Sequence, residues 1–232
     1  MRERGNFHPN VLAFDTSGPW IAAALLCGGV LRGQSFAETT RGQTEGLMPQ
    51  LEALLDGHGL GFRDLDLIGV GIGPGNFTGI RISVSAARGL ALSLGVPAIG
   101  VSMFEVMRDP TGPGAHAQEL VSIEAPRGQA YVQHFRYGVP QAAPELIDPE
   151  APPEALRLPV NMRVTGWQAE AIARPFGAEA EPRLIEDIAP RIARLAQWRH
   201  DTLREAPERP APLYLRPADA APPSDPPPKI LD

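Results

Sequence analysis

The stretch that most constrains this chain is Gly71-Ile72-Gly73-Pro74-Gly75-Asn76-Phe77-Thr78-Gly79. An apolar run from Leu67 to Ile72 leads into it and reads as a buried strand. Glycines and a proline then force a sharp turn, because glycine tolerates positive φ and proline fixes its own. Beyond Thr78 the spacing becomes helical, with Ile80, Val84, Ala87, Ala91 and Leu94 on one stripe. The expected unit is a strand, a glycine turn and a helix over Ile80–Leu94 whose N-terminal amides face the turn. Two readings fit it: an anion site made of those amides and the helix dipole, or a tight turn with no ligand. The loop is not a dinucleotide fingerprint, since Asn76 or Thr78 stands where the third glycine belongs. Nor is it a Walker A loop, because the only lysine of the chain is Lys229.

The flanking pattern predicts a sheet entered by a hairpin. Strands are expected at Val11–Phe14, Trp20–Leu26 and Val30–Phe36, the last two joined by Gly28-Gly29. Thr44 is the expected cap of a helix carrying Leu47, Leu51, Leu54 and Leu55, with Pro49 expected in or near its first turn. His58, at the end of that stripe, reads as a packed side chain. Pro97–Val101 is a further strand, and Ser102 is the expected cap of a helix over Met103–Met107. The order β-β-β-α-β-α-β-α suits a mixed sheet with helices on its faces. After a Gly/Pro-rich break at 111–117, strands are expected at Leu120–Ile123, Ala130–Phe135 and Arg163–Thr165. Helices are expected at Trp167–Ala173 and Ile188–Arg204. The expected division is a lobe over 1–110, a smaller α/β lobe over 111–206 and a proline-rich tail over 207–232, with Leu213-Tyr214-Leu215 apolar enough to dock.

Composition narrows function. The chain has 232 residues and a net charge of −6, so it lacks the basic surface needed to grip nucleic acid by itself. A single cysteine, Cys27, excludes an internal disulfide. Its five histidines, His8, His58, His116, His134 and His200, include no pair at metal-site spacing, which argues against a metalloprotease. The longest apolar run, Trp20–Cys27, falls far short of the ~20 residues that span a bilayer. Met1–Asn10 is polar and lacks a leader pattern, so a cytoplasmic protein without a membrane partner is expected.

Several motifs in order resemble one family. Leu12-Ala13-Phe14-Asp15-Thr16-Ser17 resembles the first phosphate-loop strand of actin-like, sugar-kinase-like ATPases. Gly73-Pro74-Gly75-Asn76-Phe77-Thr78-Gly79-Ile80-Arg81 is similar to the G-P-G-S-F-T-G-[LI]-R signature of the TsaB (YeaZ) family. Gln43-Thr44-Glu45-Gly46-Leu47-Met48-Pro49 resembles its H-S-E-x-L-L-P helix start. Arg127-Gly128-Gln129-Ala130-Tyr131 resembles R-G-E-V-Y, and Pro212-Leu213-Tyr214-Leu215-Arg216-Pro217 resembles its closing motif. The likeness covers Val11 to about Tyr137 and the tail. Two departures stand out: Gln43 replaces the histidine of the helix motif, and Glu124-Ala125-Pro126 replaces D-A-R.

The resemblance implies a two-lobed, ribonuclease H-like α/β fold of the actin-like ATPase class. It also implies a non-catalytic accessory subunit that supports the transferase TsaD, with the ATPase TsaE, in making threonylcarbamoyladenosine on tRNA. The catalytic paralogue carries an H-x-x-x-H pair where this chain has Met103 and Met107, and two thioethers do not replace two imidazoles toward a hard or borderline divalent ion. The implied partner surface lies on two helices: Glu45, Met48 and Glu52 on the first; Arg81, Ser83, Ala86, Ala87 and Leu90 on the second. It would take the paralogue, or a second copy when the paralogue is absent, with tRNA reached only through the complex. No cofactor is required, although Asp15, Thr16, Ser17, Gly73, Pro74, Gly75, Asn76, Phe77 and Thr78 form a candidate nucleotide-facing loop for ATP or ADP at a subunit junction. The competing function is an active ATPase or phosphotransferase, with Asp15 and Thr16 holding Mg²⁺ and phosphates beside Gly73–Gly75.

Overall fold

A computed structural model describes residues 9–108, 116–156, 158–159, 161–202 and 207–215. The expected boundary at 111–117 and the tail beyond 215 therefore fall largely outside the described residues. Strands β1 (Val11–Asp15), β2 (Trp20–Cys27), β3 (Val30–Glu38), β4 (Leu67–Gly71) and β5 (Ala98–Val101) form one sheet in the order β3-β2-β1-β4-β5. β1 runs parallel to β4 and antiparallel to β2, and β4 runs parallel to β5. This is the mixed sheet the hairpin-first order predicts. The hairpin turns at Gly28 and Gly29, both at positive φ.

Helices α1 (Gln43–Asp56) and α2 (Phe77–Leu94) cover one face of this sheet. α1 begins one residue before Thr44, with Gly42 at φ 78 in the cap position, so a glycine in the left-handed region replaces the expected side-chain cap. Pro49 lies inside α1, past its first turn, where it has no N–H to give the Glu45 carbonyl. His58 closes the end of α1 as a packed residue, its Nδ1 2.8 Å from the Leu54 carbonyl and its Nε2 2.9 Å from the Arg32 carbonyl.

The opposite face is covered from the far end of the chain. α3 (Met103–Arg108) follows β5, with Ser102 and Glu105 bonding each other's backbone in a capping box. The second sheet contains β6 (Gln118–Glu124), β7 (Ala130–Arg136), β8 (Val139–Pro140), β9 (Glu145–Ile147), β10 (Arg163–Gly166) and β11 (Glu179–Pro182). Its order is β11-β10-β6-β7-β8, with β9 also paired to β7. α4 (Ala169–Ala173) packs on β10 and β11. α5 (Ile188–Thr202) then returns to the first sheet, packing on β1, β2 and β4.

That return differs from the expected division, which put 188–202 in the second lobe. Its cause is visible in side-chain size. Ile192, Ala193 and Ala196 are fully buried, and a Cβ placed on Gly69 of β4 would lie 3.0 Å from the Ala196 Cβ. Small residues on both partners let helix and sheet approach closely. A single core accordingly joins Val11 and Ala13 to Met103, Val121, Tyr131, Phe135 and Ile192. A buried ion pair, Arg108 with Glu119, ties α3 to β6 within it. Among the described residues no helix is long and apolar enough to cross a membrane.

Candidate functional site

The candidate site is the cleft between the two sheets, where the loop after β1 meets the glycine loop after β4. A cavity of about 630 Å³ opens there. Ser17–Trp20 and Pro74–Asn76 form one wall, Ile123–Pro126 and Trp167 another, and Met103 and Met107 lie at its base. The size falls within the ~300–1,000 Å³ range of small-ligand sites.

The two loops are stitched to each other. The Asn76 N–H donates to the Ser17 carbonyl at 2.6 Å, and the Thr16 hydroxyl donates to the Gly79 carbonyl at 2.6 Å. A Cβ on Gly75 would overlap the Ser17 carbonyl, and one on Gly79 would overlap the Thr16 carbonyl. Both glycines are thus required by close backbone approach. The Gly73–Pro74 peptide bond is cis. Gln43, buried at the start of α1, fixes the other loop by donating to the Gly18 and Trp20 carbonyls at 2.7 and 2.9 Å.

α2 starts at Phe77, three residues earlier than its apolar stripe suggests, because Asn76 caps it. The Asn76 Oδ1 accepts from the Thr78 N–H at 3.0 Å and from the Gly79 N–H at 3.5 Å. Of the two readings of the turn, this geometry fits the one without a ligand, since two of the amides an anion would use are already satisfied.

Asp15 and Thr16 are corrections to the candidate loop. Both have 0 % exposure, and neither lines the cavity. The Asp15 Oδ1 accepts from the Ser17 N–H at 3.0 Å, the Ser17 hydroxyl at 2.9 Å and the Trp20 indole N–H at 2.8 Å. Its Oδ2 lies against Gly71, where a Cβ could not fit, and has no hydrogen-bond partner among the described residues. Burial raises the Asp15 pKa above its ordinary value, opposed by the bonds from Trp20 and Ser17. The carboxylate organises its own turn through Oδ1.

Phe77 is a further correction. Its ring turns to the tail, with its centroid 4.8 Å from that of Tyr214. Arg81 joins them, its guanidinium carbon 3.9 Å from the Phe77 centroid and its Nε donating to the Tyr214 hydroxyl at 2.8 Å. The Leu213 N–H bonds the Ile72 carbonyl at 2.8 Å, so the expected docking of Leu213-Tyr214-Leu215 is realised. Thr78 is exposed and Gly73 buried; of the candidate loop, only Ser17, Pro74, Gly75 and Asn76 reach the cavity.

On the helix pair, Glu45 and Glu52 are exposed, and Met48, Ala86 and Leu90 are half-buried. Ser83 and Ala87 have 0 % exposure and must be removed from the proposed surface. They share the inward side of α2 with Ile80 and Val84, and the Ser83 hydroxyl donates to the Gly71 carbonyl at 3.2 Å. The outward side carries Ile82, Ser85, Ala86 and Gly89, and among the described residues no atom outside the helix lies within 4 Å of a Cβ built on Gly89.

Met103 and Met107 are each 2 % exposed and fill space in the shared core. Among the described residues no group of three or more His, Cys, Asp and Glu side chains is placed to hold a metal. Trp167, Arg183 and Ile185 were not anticipated as cavity residues. Each lies at least 88 positions beyond Gly79, the last residue of the glycine loop, and no local pattern links them to it.

A family described as TsaD, tRNA N6-adenosine threonylcarbamoyltransferase, matches residues 36–157, over half of the chain. The chain belongs to this family. Its relatives place it on the TsaB (YeaZ) side. It is 33 % identical over 129 residues to the tRNA threonylcarbamoyladenosine biosynthesis protein TsaB of Bacillus subtilis, covering 55 % of each chain. To the Escherichia coli protein of the same name it is 31 % identical over 127 residues, 54 % of each chain. The matches thus span about half the length of these curated relatives. Among solved structures, YeaZ from Pseudomonas aeruginosa superposes with a TM-score of 0.66 at 23 % identity, over 89 % of this chain and 100 % of that one. A ROK hexokinase from Thermus thermophilus superposes at 0.50 and 14 % identity, over 83 % of this chain and 99 % of that one. The fold is the actin-like, sugar-kinase-like α/β fold that the phosphate-loop likeness implies.

Proposed function

We propose that this chain is a non-catalytic scaffold subunit in the formation of threonylcarbamoyladenosine on tRNA, next to the anticodon. Its partner is a TsaD-like transferase, supported by a TsaE-like ATPase, and the helix pair α1–α2 is the docking surface. A second copy takes the same surface when the transferase is absent. What carries the reading is the outward side of α2, where Ser85, Ala86 and Gly89 leave room for a second helix to approach. Glu45, Met48 and Glu52 lie on α1, and Leu90 is half-buried on α2 against the core. The cleft supports the same reading from the other side, because its loops spend their donors on each other. ATP or ADP belongs at a subunit junction in this scheme, and tRNA is reached through the complex, consistent with the net charge of −6.

Reconstitution tests the reading. Threonylcarbamoyladenosine is expected only when the chain is combined with its transferase and ATPase partners; product from the isolated chain would overturn it. The competing phosphotransferase has the kinase-like fold in its favour. It requires ATP turnover by the purified chain that is lost in Asp15→Ala.

A further inference from the structure

The segment after α5 gives α2 a neighbour that the helix pair does not explain. Residues 207–215 carry Pro207, Pro210 and Pro212 and are held at two points. Buried Pro210 sits over β5, its Cβ 3.5 Å from a Cβ placed on Gly100. Leu213 and Tyr214 are fixed to Ile72 and Arg81. Tyr214 thus meets Arg81 near the start of α2, whereas Pro207 and Arg209 share a groove with Leu92 near its end, so the segment runs antiparallel to the helix.

That groove has a volume of about 570 Å³. Arg88, Gly89 and Leu92 line it from α2, Pro207 and Arg209 from the tail, and Val96 from the turn beyond the helix. No acidic residue lines it. The exposed side chains of Arg88 and Arg209 have no ion-pair partner among the described residues. Leu92 is 83 % exposed, more than any other large hydrophobic side chain described. Two cations and a bare leucine therefore face one groove, in a chain whose net charge is −6.

We propose that this groove extends the transferase docking surface and receives an apolar, carboxylate-bearing segment of the TsaD-like partner. The carboxylate sits between Arg88 and Arg209, and apolar side chains cover Leu92 and Val96. The inference rests on the helix-pair reading and deepens it. Arg88 follows Ser85, and Leu92 follows Gly89, by three positions, so the groove continues the outward side of α2. Charge and apolar surface together select the occupant. A nucleic-acid backbone would use the arginines but leave Leu92 in water, and it calls for more than two cations. An isologous contact with a second copy would bring a second pair of the same arginines to the interface. The prolines hold the tail wall extended before binding, so the partner need not order it.

The test is calorimetric titration of the full chain with the TsaD-like transferase at low and high salt. Arg209→Glu, which alters no helix or strand, is expected to lower affinity about tenfold, and Arg88→Glu by a similar factor. Salt should weaken binding by the natural chain more than binding by either variant. Leu92→Ser should also cost about tenfold, with the salt dependence kept. Arg136→Glu on β7 makes the same change of net charge in the second sheet and should leave affinity within about twofold. If Gly89→Arg blocks the transferase while both arginine variants bind like the natural chain, the groove inference fails and the helix-pair reading stands. If the natural chain does not bind the transferase at all, both fail. Arginine variants that keep transferase affinity but weaken self-association in sedimentation, or tRNA binding by the complex, would overturn the proposal in favour of a second copy or of RNA.

Discussion

The cleft end of α2 and its outward side use small residues for opposite purposes. At the cleft, Gly75 and Gly79 are small because the Ser17 and Thr16 carbonyls occupy the space a side chain would need. On the outward side, a Cβ added to Gly89 would meet nothing outside its own helix within 4 Å among the described residues. The first smallness closes a loop that resembles a phosphate site, and the second leaves a surface open. The lesson is that a glycine-rich strand–helix unit is not evidence of a nucleotide site until its donors are accounted for. Here the Asn76 side chain and the neighbouring loop take them up.

The contrast can be broken by adding a methyl group. Gly79→Ala drives a Cβ into the Thr16 carbonyl and is expected to cost about 3 kcal/mol, measured by urea unfolding. A cost near that of an ordinary helix substitution would show that the two loops can part. Asn76→Ala removes the cap and should cost about 1 kcal/mol. It also frees the Thr78 and Gly79 amides, so inorganic phosphate should raise the melting temperature of this variant more than that of the natural chain. An equal response would mean the amides were never the limiting factor.

The smallest effect is the pH dependence of Asp15. Its folded-state pKa lies above the ordinary 3.8, chiefly because burial disfavours the charge. The folded state therefore holds the proton more tightly than the unfolded chain. This group's contribution is most favourable below 3.8 and declines as pH rises through the raised folded value, then levels. Asp15→Asn should remove that decline, read as the difference between the two proteins' urea midpoints across pH. Identical pH profiles would show that the carboxylate is not desolvated as described.

The first sheet was legible because β1, β2, β4 and β5 are apolar runs, and because Gly28-Gly29 dictates the hairpin that adds the more polar β3. The inward position of Ser83 and Ala87 was also legible in principle, since they fall within a turn of Ile80 and Val84 on one face. The partner surface implied by the family resemblance placed them outward all the same. β11 was not legible: Glu179-Ala180-Glu181-Pro182 has poor strand propensity and exists by pairing with β10. The cavity was the least legible feature, because Ser17, Asn76, Ile123, Trp167 and Ile185 come from segments far apart in the sequence and meet only in the folded cleft.

The central claim, an open docking side on α2 beside a glycine loop whose amides are already bonded, is tested most directly by Gly89→Arg. Replacing an exposed helical glycine should raise stability by about 0.5–1 kcal/mol. The added side chain should block close helix approach and lower affinity for the TsaD-like transferase by ~100-fold or more in calorimetry. Stability and binding moving in opposite directions is the predicted result; affinity unchanged in a stabilised, folded variant would contradict the account.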